Sequence, residues 1–430
     1  MKKSIYLALS ASTLLNAAAP ALLPVEKRTF SQSQYMPNIS MIVDTSFTSR
    51  NKSQDALAGL VIPGTIEDFY GQEEQTDEHG HAHSAYSSDN GFNFNYAELV
   101  MSANVDPSFS LDTVFHIEDE ISVEEAYFTN TTAIDGLRIR GGKLLSEFGR
   151  LNRQHHHFWD FNDLPLVHKA FVGNDGLNEV GLQLQYTLPF EEYVMIGGEI
   201  LQGDNEKSFG NDTLTTSNDE EITGASAPSV LVGYLKGSFD IGDTSVLPGV
   251  SYIYGESRSQ HTHVDGADTH EITFDGTSSI INLELTVKHF FDSYSFLTWQ
   301  SEWMHMEKKG DEYHVENAAA TEKEAQKITQ QGYYTQLVYA HDQNWRVGAR
   351  YESIYKNDYG FTEEILPSTP YNSYTLMAEY HWSEFSRLRL EYIQNDALYT
   401  EGAGGFESTD VKTLMLSLNL SIGAHAAHDF

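Results

Sequence analysis

Leu414, Leu416, Leu418, Leu420 and Ile422 occupy every second position of one segment, with Ser417, Asn419, Ser421 and Gly423 on the alternate phase. Successive side chains of an extended chain point to opposite faces, so this segment builds a strand with one aliphatic and one small polar face. Segments of this kind, each of about ten residues, recur about sixteen times, near 38–48, 92–105, 108–118, 123–132, 137–145, 180–188, 193–202, 229–239, 245–255, 279–290, 295–307, 332–340, 345–355, 373–382, 387–394 and 412–423. A ten-residue strand rises about 33 Å and, tilted near 45°, covers about 24 Å, the height of a bilayer's apolar band. After the N-terminus no run of about eighteen apolar residues occurs, so no membrane helix is available and any span must be a barrel.

The connections alternate too. Short turns are predicted at Asp106-Pro107, 132–136, 189–192, 241–244, 291–294, 341–344 and 383–386, and long polar loops at 50–91, 146–178, 203–227, 256–278, 308–331, 356–371 and 395–410. Only the connection 118–122 breaks the rhythm by being short. Turns on one rim and loops on the other are the plan of an outer-membrane barrel. Composition agrees: 24 Tyr, 23 Phe and 32 Gly with only 11 Pro suit strands that carry one polar and one apolar face. The expected fold class is all-β, a transmembrane antiparallel β-barrel of about sixteen strands. A soluble exported β domain is the competing reading, in which the same aliphatic faces would meet a second sheet.

Residues 1–21 read as an export signal: Lys2 and Lys3, an apolar stretch from Ile5 to Leu15, then Ala17, Ala18, Ala19, Pro20 and Ala21. Residues 22–35 are expected to be a periplasmic linker and 36–430 the barrel, placed in the outer membrane of a Gram-negative cell.

Cysteine is absent, which excludes a disulfide framework, thiolate metal sites and a cysteine nucleophile. Asp and Glu number 62 against 26 Lys and Arg, a formal net charge of −36. Such a field repels nucleic acid and gathers cations, although acidic loops also simply keep a large surface soluble. There is no G-x-S-x-G elbow, no H-E-x-x-H and no Gly-rich phosphate loop ending in Lys-Ser or Lys-Thr. Glu124 and Glu125, neighbours in a predicted strand, are expected on opposite faces and so are not read as a catalytic pair. The chain is not expected to be an enzyme.

Between the segments 137–145 and 180–188 lie about thirty non-periodic residues, and long loops in compact domains are usually functional. Folded into a barrel mouth, the stretch from Ser146 to Asn178 would be a constriction loop. Its Arg150, Arg153 and Lys169 can contact an anion or pair with Glu147, Asp160, Asp163 and Asp175, and proximity in sequence favours pairing. Phe158, Trp159 and Phe161 can pin the loop to the wall or stack a flat solute. Three H-x-H clusters occur, His79, His81 and His83, then His155 and His157, then His261 and His263, all expected in loops on one rim together with His168, His270 and His314. In extended backbone each pair presents two imidazoles on one side, a donor set for zinc or another divalent metal, although no cofactor is required for a passive pore.

Residues 123–149, VEEAYFTNTTAIDGLRIRGGKLLSEFG, resemble the phosphate-selective porin type of outer-membrane barrel. The following HHHFWDFNDLPLVHKAFVGNDGL and the ending SLNLSIGAHAAHDF resemble a bacterial group of zinc-regulated outer-membrane proteins, sometimes called TonB-dependent receptors. The terminal Phe430 resembles the aromatic residue that hands such chains to the barrel assembly machinery. The resemblance implies a porin-like barrel tied to metal supply and a homotrimer surrounded by outer-membrane lipid. No arginine and lysine ladder of an anion selector is evident, so the expected function is a cation-favouring passive pore for small solutes or divalent cations. A metal-capturing receptor and a closed surface binding barrel are the alternatives, although a receptor's plug finds no room between Ala21 and Asn38.

Overall fold

A row of amphipathic strands leaves two unpaired edges, and in hydrocarbon each open backbone group costs several kcal/mol, so the row must close on itself. In the computed structural model, which describes residues 36–53, 60–61, 88–118, 120–205, 207–265, 268–359, 370–400 and 406–423, it does. Sixteen antiparallel strands form a closed barrel. They are β1 (Asn38–Arg50), β2 (Gly91–Asn104), β3 (Phe109–Ile117), β4 (Ile121–Asn130), β5 (Leu137–Leu145), β6 (Asn178–Thr187), β7 (Tyr193–Leu201) and β8 (Val230–Ile241). The wall continues with β9 (Thr244–Asp265), β10 (Asp268–Phe290), β11 (Phe296–Glu316), β12 (Glu322–Ala340), β13 (Trp345–Tyr359), β14 (Tyr371–Ser383), β15 (Ser386–Thr400) and β16 (Phe406–Gly423). Each pairs with its neighbours in sequence, and β1 pairs with β16 from Ser40↔Gly423 to Arg50↔Thr413, sealing the cylinder. The expected leader 1–21, the linker 22–35 and Phe430 lie outside the described residues.

The alternation resolves as expected. In β16, Leu416 and Leu420 are 40% and 45% exposed on the outer surface, while Ser417 between them is 3% exposed and faces inward. Among the described residues no second sheet covers the aliphatic face, which leaves hydrocarbon as its solvent. Phe109, Phe128, Tyr193, Trp345 and Trp382 stand exposed along the rim of short turns, where amphipathic rings favour the membrane interface.

The upper strand ends differ from expectation. Segments 256–278 and 308–331, expected as loops, are mostly strand: β9, β10, β11 and β12 run for 22, 23, 21 and 19 residues. At about 3.3 Å per residue they reach roughly twice the height of the apolar band. Above that band the outer face meets water, so the apolar alternation that marks a strand fades while the backbone ladder continues. His261 and His263 accordingly sit in β9, opposite Ile272 and His270 of β10, and not in a loop.

Candidate functional site

The loop between β5 and β6, residues 146–177, turns into the barrel, and its first residues show why. Ser146 Oγ donates to Glu199 Oε2 of β7 (2.6 Å) and the Glu147 N–H donates to Glu199 Oε1 (2.9 Å). Gly149 then adopts φ +68°, and a Cβ there would collide with the Glu302 carboxylate and the Asn282 amide. Glu302, on β11 and wholly buried, accepts the N–H groups of Arg150 and Leu151, both at 3.0 Å. It also accepts the Tyr334 hydroxyl (2.8 Å) and the Asn282 amide, and lies 3.4 Å from His168 Nε2.

Further along, the Asn162 N–H donates to Glu391 (3.0 Å) and the Leu166 N–H to Glu352 (2.6 Å). The Trp159 and Asp163 carbonyls accept from Arg389 (2.8 Å) and Arg350 (2.7 Å). A segment threaded through a lumen has no neighbouring strand to pair its backbone, so inward charges on β7, β11, β13 and β15 take that place. The short helix α1, Leu166–Val172, follows Pro165, whose fixed φ suits a helix start, and stops at Gly173 (φ +85°). Its Val167 and Phe171 are buried, in one apolar cluster with Met304, Tyr334 and Ile354 of the wall. The loop between β7 and β8 covers this helix, with Phe209 in the same cluster and the Asn205 amide on the Val172 carbonyl (3.0 Å).

The charged residues expected in the constriction are mostly paired. Arg153 meets Glu147 at 2.8 Å, Lys169 meets Asp163 at 3.3 Å, and Asp160 accepts from Gln336 at 3.1 Å. Burial alone would raise the Glu147 carboxyl, but Lys236 and Arg153 outweigh it and hold the group well below the usual range. Trp159 is buried with its indole N–H on the Gln154 carbonyl, and Phe161 packs on Val338 and Met377 under the Arg350 guanidinium. Beneath the loop, toward the turn rim, a cavity of about 520 Å³ is lined by Arg138, Arg150, Arg153 and Lys236 with Glu284 as the opposing acid. The absence of a basic ladder is therefore corrected. Its members lie on the loop, β5 and β8, and the consecutive pairings from β5 through β6 and β7 to β8, with the inward turn of the loop that follows β5, make them neighbours.

The histidines do not form one cluster. His155 and His157 are held against the β2 and β4 wall, whereas His168 is buried against Glu302 of β11. His79, His81 and His83 lie outside the described residues, and His261 and His263 belong to another stretch of wall. Around His155 a second correction appears. The pairing of β3 with β4 slips between Val114↔Glu125 and Phe115↔Val123, so Glu124 is the extra residue of a bulge. Glu124 and Glu125, expected on opposite faces, both reach His155: Nδ1 is 3.4 Å from Glu124 Oε1 and Nε2 is 2.9 Å from Glu125 Oε2. Glu98 of β2 adds Oε1 at 3.6 Å from the same Nδ1, and its Oε2 bonds His157 Nδ1 at 3.1 Å. Burial would lower the His155 pKa, yet the carboxylates of Glu124, Glu125 and Glu98 hold it well above the ordinary imidazole value. For His157 burial prevails and pushes the pKa down.

The wall residues that position the loop, Glu98, Glu199, Glu302, Glu352, Arg389 and Glu391, went unremarked in the sequence. A signal existed. Arg389 and Glu391 fall on the phase opposite Leu388, Leu390 and Tyr392, and a charge within a membrane-length strand belongs to the lumen.

No family model matches the chain. An uncharacterized protein of Aquifex aeolicus (strain VF5) is 38% identical over 404 residues, which are 93% of this chain and 81% of that protein. Among solved structures, the outer membrane channel DcaP of Acinetobacter baumannii superposes with a TM-score of 0.53 at 12% identity, covering 91% of this chain and 99% of that one. An anion-selective porin from Comamonas acidovorans gives 0.48 at 11% identity, covering 90% and 99%. The trimer form of OmpT from Vibrio cholerae gives 0.48 at 10% identity, with the same coverage. The fold is that of the outer-membrane porins.

Proposed function

For a chain that belongs to one family with the uncharacterized Aquifex aeolicus protein, we propose the role of an outer-membrane porin-like channel that lets small hydrophilic solutes pass without covalent chemistry. The observation that carries this reading is the loop 146–177, held inside a closed barrel by wall charges above a cavity of about 520 Å³ lined in part by charged side chains. A channel of this kind works by replacing part of a solute's hydration with its lining, and the sign of that lining sets selectivity.

The net charge of −36 led to an expected preference for cations, but the cavity is lined by Arg138, Arg150, Arg153 and Lys236 against Glu284, and with the adjoining Glu147, which meets Arg153 and Lys236, the cations still outnumber the carboxylates. Local charge at a narrow, low-dielectric passage outweighs distant acidic loops screened within about 8 Å by physiological salt. The narrow passage accordingly favours small anions. Assembly as a homotrimer in the outer membrane, which the sequence resemblance implies, is part of the proposal, and cross-linking of the refolded protein reads it directly.

Conductance across a planar bilayer under a KCl gradient tests the reading, with a reversal potential of anion-selective sign expected. A cation-selective sign would overturn the selectivity. Absence of any conductance would favour the second reading, a closed binding barrel, which draws on the apolar cluster of Phe148, Val167 and Phe171 that the loop buries within the lumen.

A further inference from the structure

The groups around His155 are arranged for more than an ion pair. Its Nδ1 has no hydrogen-bond partner although it is buried, and Glu98 Oε1 and Glu124 Oε2 are likewise buried without one. Ligand atoms of Glu98, Glu124 and His155 all lie within 4.8 Å of one another. The separations from Nδ1, 3.4 Å to Glu124 Oε1 and 3.6 Å to Glu98 Oε1, are too long for good hydrogen bonds. They are close to the roughly 3.3 Å that separates two ligands of a tetrahedral zinc with bonds of about 2.0–2.1 Å.

The surroundings have the second feature of such sites. A metal-bound imidazole usually donates its other N–H to a carboxylate, which fixes its tautomer and raises its basicity. His155 Nε2 is 2.9 Å from Glu125 Oε2, and the far oxygen of Glu98 is held by His157 Nδ1 at 3.1 Å. With Nε2 as the donor, Nδ1 carries its lone pair toward Glu98 and Glu124. The bulge at Glu124 is what brings Glu124 and Glu125 to one imidazole, beside Glu98 of β2.

We infer that Glu98, Glu124 and His155 form a divalent transition-metal site between the barrel wall and the lumen loop, with Glu125 and His157 orienting the ligands. Oxygen and imidazole donors without thiolate suit zinc, manganese, iron, cobalt or nickel. Three protein ligands leave a coordination position open to water, so the ion can exchange. Because Glu98 is on β2, Glu124 on β4 and His155 on the loop, a bound ion ties the loop to the wall. The site stands apart from the conduction reading, since it needs only the folded barrel.

Zinc titration of the full chain refolded in detergent, followed by calorimetry, tests it. The His-rich segment at 79–83 can bind zinc as well, so the decisive quantity is a difference between proteins. The wild type is expected to take up one equivalent more than either His155→Ala or Glu124→Gln, and Glu125→Gln is expected to retain that equivalent with affinity lower by about 10–100-fold. Cobalt titration supplies a second reading, a visible spectrum of low-symmetry coordination that the His155→Ala protein lacks. Equal uptake by all four proteins, or an unchanged cobalt spectrum in His155→Ala, would overturn the site and leave a protonated His155 among three carboxylates. Intact barrel folding of each variant is read from its heat-dependent gel mobility, and Glu124→Gln, which preserves side-chain shape, keeps the comparison decisive if His155→Ala misfolds.

Discussion

Replacing Glu302 by Gln isolates what holds the loop in the lumen. The side chain keeps its shape, but one oxygen that accepted a loop N–H becomes an amide that donates, so donor faces donor in a wholly buried site. In the wild type the carboxylate receives two backbone N–H groups, from Arg150 and Leu151, both at 3.0 Å. A hydrogen bond to a charged group is worth about 1.5–3 kcal/mol net, so losing one and neutralising the acceptor of the other removes at most roughly 3–6 kcal/mol of docking energy. At about 1.4 kcal/mol per tenfold, the ratio of docked to undocked loop falls by at most roughly 10²–10⁴. Trypsin reads this directly, because Arg150, Arg153 and Lys169 become cleavable only when the loop leaves the wall, and single-channel conductance should rise and fluctuate in parallel. Wild-type trypsin resistance together with unchanged conductance in Glu302→Gln would show that the apolar cluster alone holds the loop and that the wall charges contribute nothing net.

Gly149→Ala should loosen the loop by about 1–3 kcal/mol through its left-handed backbone conformation, as seen by faster trypsin cleavage, and by less in a Glu302→Gln background because the two sites share a contact. Leu416→Arg places a cation on the lipid face and should destabilise the barrel by about 2–4 kcal/mol in urea titrations in lipid vesicles, while no loss would contradict the outward assignment. The depressed pKa of Glu147 means that its stabilisation is complete above the unfolded value near 4.3 and is lost as pH falls through the folded value. The loop should therefore stay docked from pH 7 to 5 and loosen only in stronger acid, and conductance that opens between pH 7 and 5 would refute this.

The sixteen strands were legible because lipid on one side and water on the other impose period two, and β16 shows it from Leu414 to Ile422 with Met415 as the one apolar side chain on the inward phase. Strand ends were not legible above the membrane, since the 22 residues of β9 outrun the lipid that creates the pattern. The inward course of the loop 146–177 followed from its length and polarity. Its anchors did not, because Glu302 meets Leu151 across 151 positions and only closure of the barrel brings them together. Likewise, the alternation that predicts opposite faces for Glu124 and Glu125 fails at a bulge, where one unpaired residue resets the phase.

The wall grips the loop largely by its main chain. Glu302, Glu391 and Glu352 hold the amides of residues 150, 151, 162 and 166, and Arg389 and Arg350 hold the carbonyls of 159 and 163. A support that reads amides and carbonyls is indifferent to which side chains those residues carry. Substitutions at Arg150 that recast the lining of the passage leave that scaffold in place, so permeability can diverge between relatives, or be redesigned, without rebuilding the protein around it.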